Sequence, residues 1–120
     1  MPRHPVPDGD RPLFPMPPLT EDGLAAAIRR IDPAAAARFE EEVHDAWRRA
    51  AREDSVSPVR DLLHRWAVFV ALRRLPRRAA RLRELERIAA GAKSPEAVRG
   101  ATAEIRDLVR AARREVAGRG

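Results

Sequence analysis

Residues 57–75 read SPVRDLLHRWAVFVALRRL, and this is the stretch on which the fold turns. From Ala67 to Leu72 six consecutive residues are apolar. A helix that is apolar on every side has to be covered on several faces, so the segment is read as a central helix. The remainder of the chain must then supply its neighbours. Within it, Val59, Leu62, Leu63, Trp66 and Val70 form one stripe, with Phe69 on its edge.

Moving outward, the flanking segments show helical periodicity bounded by capping residues. Asp32-Pro33, Ser57-Pro58 and Ser94-Pro95 each pair an N-cap type with a proline suited to the first helical turn. A first short helix is expected from Thr20 to Asp32, presenting Leu24, Ala27, Ile28 and Ile31. A second runs from Pro33 to about Arg52, with Ala36, Phe39, Val43, Ala46, Trp47 and Ala50 on one side. The connector Glu53-Asp54-Ser55-Val56 is short enough to make the second and third helices antiparallel neighbours. Trp47 and Trp66 are accordingly read as the aromatic part of a shared core.

Pro76 interrupts the central helix, and a shorter one follows to about Ala90, carrying Leu82, Leu85, Ile88 and Ala89 before Gly91. The last helix, 95–116, is the cleanest amphipath. Val98, Ala101, Thr102, Ile105, Leu108, Val109, Ala112 and Val116 fall within about 120° of arc. Its stripe is open to burial on the body of the domain, on a partner, or on a second copy of the chain through a short coiled coil.

The expected architecture is therefore all-α, a single small bundle of four to five helices over 20–117. A proline-rich tail, disordered by composition, precedes it over 1–19, and 118–120 trail behind. In the tail, Leu13, Phe14 and Met16 form an apolar cluster between prolines, which either folds back on the domain or docks on another protein.

Composition narrows the function classes. The 120 residues contain no cysteine, which excludes disulfides, thiol nucleophiles and thiolate metal sites. No apolar run reaches the roughly 20 residues of a membrane span, and a cytoplasmic protein without membrane attachment is expected. There is no phosphate-binding glycine loop and no nucleophile–base pattern, so neither an enzyme nor a cofactor is expected. Glu41-x-x-His44 and Asp61-x-x-His64 imitate the carboxylate–histidine pairs of dimetal bundles. Helical-wheel placement turns both pairs away from the apolar stripes, so no metal site is assigned.

Charge is unevenly spread. The net +6 divides into −2 over residues 1–72, with 10 basic against 12 acidic side chains, and +8 over 73–120, with 14 against 6. Arg73, Arg74, Arg77, Arg78, Arg81 and Arg83 occupy eleven residues without a carboxylate, and Arg106, Arg110 and Arg113 lie along the last helix. These arginines form either a solvated face or a phosphate-binding surface; Arg74, Arg77, Arg78, Arg81, Arg106, Arg110 and Arg113 are the candidates for the latter. Sequence-specific DNA reading is not supported, because the third helix spends its length on core residues.

Asp32-Pro33, Arg38-Phe39-Glu40-x-Glu42, Ala46, Ala50, Pro58-Val59-x-x-Leu62-Leu63-x-x-Trp66 and the following Pro76 with Leu82 carry a resemblance across 30–85. The pattern resembles a family of small, uncharacterised helical proteins from high-GC bacteria, some encoded beside toxin genes and regarded as antitoxin-like. That resemblance implies a non-catalytic protein-interaction module whose partner is a small toxin. An antitoxin for a basic toxin offers acidic surface, and Glu41, Glu42 and Asp45 of helix two are the residues to supply it. Ile105 and Leu108 of the last helix are candidates for apolar partner contact or homo-oligomerisation. The alternative function is nonspecific nucleic-acid binding by the C-terminal arginines.

Overall fold

The computed structural model describes residues 10–119, which contain five helices and, among those residues, no strand. They are α1 (Glu21–Ile31), α2 (Pro33–Glu53), α3 (Ser57–Arg73), α4 (Pro76–Gly91) and α5 (Pro95–Arg119). The bundle of helices expected from the sequence is thus present.

Local chemistry accounts for the boundaries. The Thr20 hydroxyl accepts the Gly23 N–H at 3.0 Å and caps α1. Asp32, extended at φ −160° and ψ 105°, closes α1 and opens α2; its carboxylate accepts the Ala34 N–H at 3.0 Å. At the other end of α2, Asp54 turns left-handed at φ 53°, a conformation that a short polar residue tolerates. Ser57 departs from the expected N-cap role. It lies inside α3, while Val56 takes the cap position and the Ser55 hydroxyl accepts the Ser57 N–H at 3.1 Å. Ser94 does act as expected, its hydroxyl accepting the Ala97 N–H at 3.3 Å.

Packing follows from the all-round apolarity of α3. Among the described residues it alone contacts all four other helices, with α1 and α2 on one side and the α4–α5 pair on the other. Leu62, Trp66, Ala67, Val70 and Ala71 are buried, and Leu24, Ile28 and Phe39 close over them from α1 and α2. Small residues dominate the contact: Ala27, Ala35, Ala36, Ala46 and Ala50 let the helix backbones approach closely. Burying each larger aliphatic side chain stabilises the fold by about 1.5–3 kcal/mol before conformational entropy is subtracted.

The last helix packs in cis. Ala112 and Val116 are fully buried in the main core, and Ile105, Leu108 and Val109 lie half-buried against it. Nearer the α4–α5 turn, Leu85 and Ala101 are buried outside the main core, so the hairpin carries its own apolar seam. Five helices arranged in this way span 45 × 45 × 25 Å.

Residues 10–19 correct the expectation of a disordered tail. Met16 and Pro17 are buried, the Leu13 N–H donates to the Arg74 carbonyl at 2.7 Å, and the Arg30 guanidinium stacks 4.9 Å over the Phe14 ring. Gly23 makes this possible, since a Cβ there would meet the Pro18 carbonyl oxygen at 2.7 Å. The apolar cluster folds back on the domain, although Leu13 itself is left exposed. The part of the proposed tail before residue 10 lies outside the described residues.

Candidate functional site

The two tryptophans play different parts. Trp66 is buried between Phe39, at a ring-centroid distance of 5.5 Å in an edge-on arrangement, and Phe69 at 4.9 Å. Its indole N–H donates to Glu42 Oε1 at 2.9 Å. Trp47, expected beside it in the core, is instead 46% exposed, and its indole N–H donates to Glu21 Oε2 at 2.8 Å. The helical wheel explains both outcomes. Around the axis through Phe39, Val43, Ala46 and Ala50, Trp47 sits about 70° to one side and Glu42 about 70° to the other. Each edge residue therefore reaches sideways, Glu42 to α3 and Trp47 to α1.

This rearranges the acidic face. Glu41 and Asp45 are exposed as expected, whereas Glu42 is half-buried and committed to Trp66. On another flank of α2, it and α1 form a groove of about 370 Å³ lined by Glu21, Asp22, Glu40, His44 and Trp47 above Phe39 and Val43. One loose ion pair, Arg29 to Glu40 at 3.7 Å with both side chains mostly exposed, offsets its negative charge. Trp47 and Glu21 are the site residues that sequence reasoning missed. The available signal was Trp47's off-centre position on the wheel.

Among the arginines, a solvated run in the sequence becomes a set of tertiary clamps. Arg74 and Arg78 have side chains only 16% and 17% exposed and both face Glu115 of α5, at 3.7 and 2.8 Å. Arg74 also donates to the Phe14 carbonyl at 3.3 Å, and Arg78 to the Ala71 carbonyl at 3.1 Å. Arg81 grips Glu104 through Nε at 2.7 Å and Nη2 at 2.8 Å, and donates to Glu84 at 2.6 Å. Those bonds raise the Arg81 pKa, and the same guanidinium holds the Glu104 carboxyl below its usual range. Three of the seven candidate phosphate ligands, Arg74, Arg78 and Arg81, thus hold α5 in place. Arg77, Arg106 and Arg113 are exposed with no carboxylate within 4.0 Å among the described residues, and Arg110 pairs with Asp107 at 3.2 Å.

Ile105 and Leu108, candidates for partner contact, face α3 and α4 rather than open solvent, although each keeps part of its surface accessible. His44 and His64 are both exposed. Among the described residues, no group of three or more metal-ligating side chains is assembled. No helix among them is long and apolar enough to cross a membrane.

No protein-family model, curated protein or solved structure matches the chain.

Proposed function

We propose that the chain is a non-catalytic helical interaction module that takes a basic protein partner on the acidic face of α1 and α2. The observation that carries this reading is Trp47, a large aromatic half open to solvent beside Glu21, Asp22 and Glu40. Tryptophan is enriched at binding hot spots, where its rigid apolar body supplies contact at little entropic cost; with the N–H given to Glu21, the exposed ring is the part on offer. Surrounding carboxylates would steer and orient a cationic partner. Glu41 and Asp45 are exposed on other flanks of α2, about 120° and 160° round the helix from Trp47, and lie outside the groove. The resemblance to antitoxin-like proteins agrees with such a partner, a small basic toxin in the cytoplasm being the form it takes.

A photo-crosslinking amino acid in place of His44, which lines the same groove, identifies the partner, whose affinity is then measured with purified proteins. Trp47→Ala and Glu40→Lys are each expected to weaken binding at least tenfold with little change in melting temperature. A partner held equally well by both variants would defeat the proposal.

A second reading, nonspecific nucleic-acid binding, draws support from the exposed Arg77, Arg106 and Arg113 with no carboxylate nearby. It stands second because Arg74, Arg78 and Arg81 are engaged within the fold. No base-stacking aromatic lies among these arginines.

A further inference from the structure

A second depression, sharing no residue with the acidic groove, opens where the end of α1, the start of α2, the end of α3 and the start of α4 meet. It measures about 550 Å³, within the range of small-molecule sites. Arg30, Arg38, Arg73 and Arg83 line it against only two carboxylates, Asp32 and Glu86, leaving a net charge of +2. Unlike the arginines that clamp α5, none of these four has a carboxylate within 4.0 Å among the described residues. Three of them are held by aromatic faces: Arg30 over Phe14, Arg38 5.9 Å from the Trp66 ring, and Arg73 4.0 Å over Phe69.

This mode of support matters chemically. Stacking occupies the flat face of a guanidinium and leaves its N–H edge, the part that recognises oxyanions, available. Arg73 spends one N–H on the Phe69 carbonyl at 3.3 Å. Its pKa is lowered first by burial, partly offset by Glu86, and further by the like charges of Arg38 and Arg83. A half-buried cation facing like charges is relieved by an anion. The start of α4 adjoins the same cleft through Pro76 and has no side-chain cap, so its positive dipole end adds to the field. Phe69, Leu82 and Ala79 provide an apolar wall.

We propose that this cleft binds a small organic molecule bearing at least two oxyanion groups, phosphate or carboxylate, with its charged groups on the N–H edges of Arg38, Arg73 and Arg83 and its body on the Phe69–Leu82 wall. Binding in this cleft requires no protein partner, since none of its lining residues belongs to the acidic groove.

Calorimetric titration at fixed ionic strength with adenosine diphosphate and with citrate tests it, and whichever probe binds separates phosphate from carboxylate. Saturable 1:1 binding is expected, weakened at least tenfold by Arg73→Gln and, should that variant fold poorly, by the exposed Arg83→Gln. Glu86→Gln removes a competing carboxylate and is expected to tighten binding several-fold, an effect with no counterpart in a merely structural role. Arg106→Gln with Arg113→Gln, remote from the cleft lining, leaves affinity unchanged. Absence of binding by both probes at about millimolar concentration overturns the proposal. So does an equal loss in the remote variant, which would mean nonspecific charge screening, or binding confined to RNA or an acidic polypeptide.

Discussion

Trp66 is a buried indole whose N–H is held by a half-buried carboxylate. Trp66 touches Phe39 and Phe69 and donates to Glu42, so its removal both opens a cavity and leaves a carboxylate without its donor. Trp66→Ala is expected to cost about 3–5 kcal/mol in denaturant unfolding. Trp66→Phe keeps most of the volume but leaves Glu42 unsatisfied, for a loss of about 1–3 kcal/mol. Trp47→Ala, at a half-exposed position, is expected within about 1 kcal/mol of wild type. A loss at Trp47 as large as that at Trp66 would place Trp47 in the core and remove the main support for an interaction face. In the sequence each is an aromatic on an apolar stripe, but Trp66 sits near the centre of its stripe and Trp47 at the edge of its own. They differ because α3 is covered on several sides, whereas the edge of α2 beyond Val43 faces only the short α1.

At the scale of elements, α5 is held by an apolar seam and by two ionic clamps of different depth. Glu115 meets the partly buried Arg74 and Arg78, so Glu115→Gln is expected to destabilise the domain by about 1–3 kcal/mol, read as a lower melting temperature. Glu104 meets Arg81 in the open, and its replacement should barely move the midpoint. Acid acts on the Arg81–Glu104 pair. The Glu104 pKa is depressed in the folded chain by its hydrogen bonds to Arg81, so its contribution is present above the unfolded pKa and fades as pH falls through the folded value. Because that pair is open to solvent, the stability lost with it is expected to be small, so Glu104→Gln should flatten only a shallow acid dependence of the melting temperature. A large acid-dependent loss removed by Glu104→Gln would contradict this.

The helix boundaries behind these pairings are legible in sequence, because Thr20, Asp32, Ser94 and the prolines at 33, 58, 76 and 95 act locally. The clamps are not. Arg81 and Glu104 stand 23 residues apart, and only the packing of α4 on α5 brings them together. The acidic patch of α2 could be read from Glu41 and Asp45, but the groove on another flank needed the placement of α1.

For the molecule as a whole, the split of charge along the chain becomes a division of roles rather than a single basic surface. Replacing Arg74 and Arg78 tests folding, since both face Glu115; replacing Arg106, Arg110 and Arg113 tests surface electrostatics, since all three are exposed. Arg74→Gln with Arg78→Gln is expected to lower the melting temperature, whereas the triple glutamine variant on α5 is expected to leave it unchanged. Any residual nucleic-acid binding should be weak, with Kd in the range of about 1–100 μM near physiological salt, and should fall log-linearly as salt rises. The triple variant would reduce that slope by up to roughly 0.9 for each phosphate it ceases to neutralise. Affinity for a basic protein partner should be unaffected or slightly improved, because the variant removes like charge. Submicromolar RNA or DNA binding near physiological salt, abolished by the triple variant, would reverse the order of the two functional readings, since the exposed arginines of α5 would then carry the dominant interaction and the acidic face around Trp47 would be left without a role.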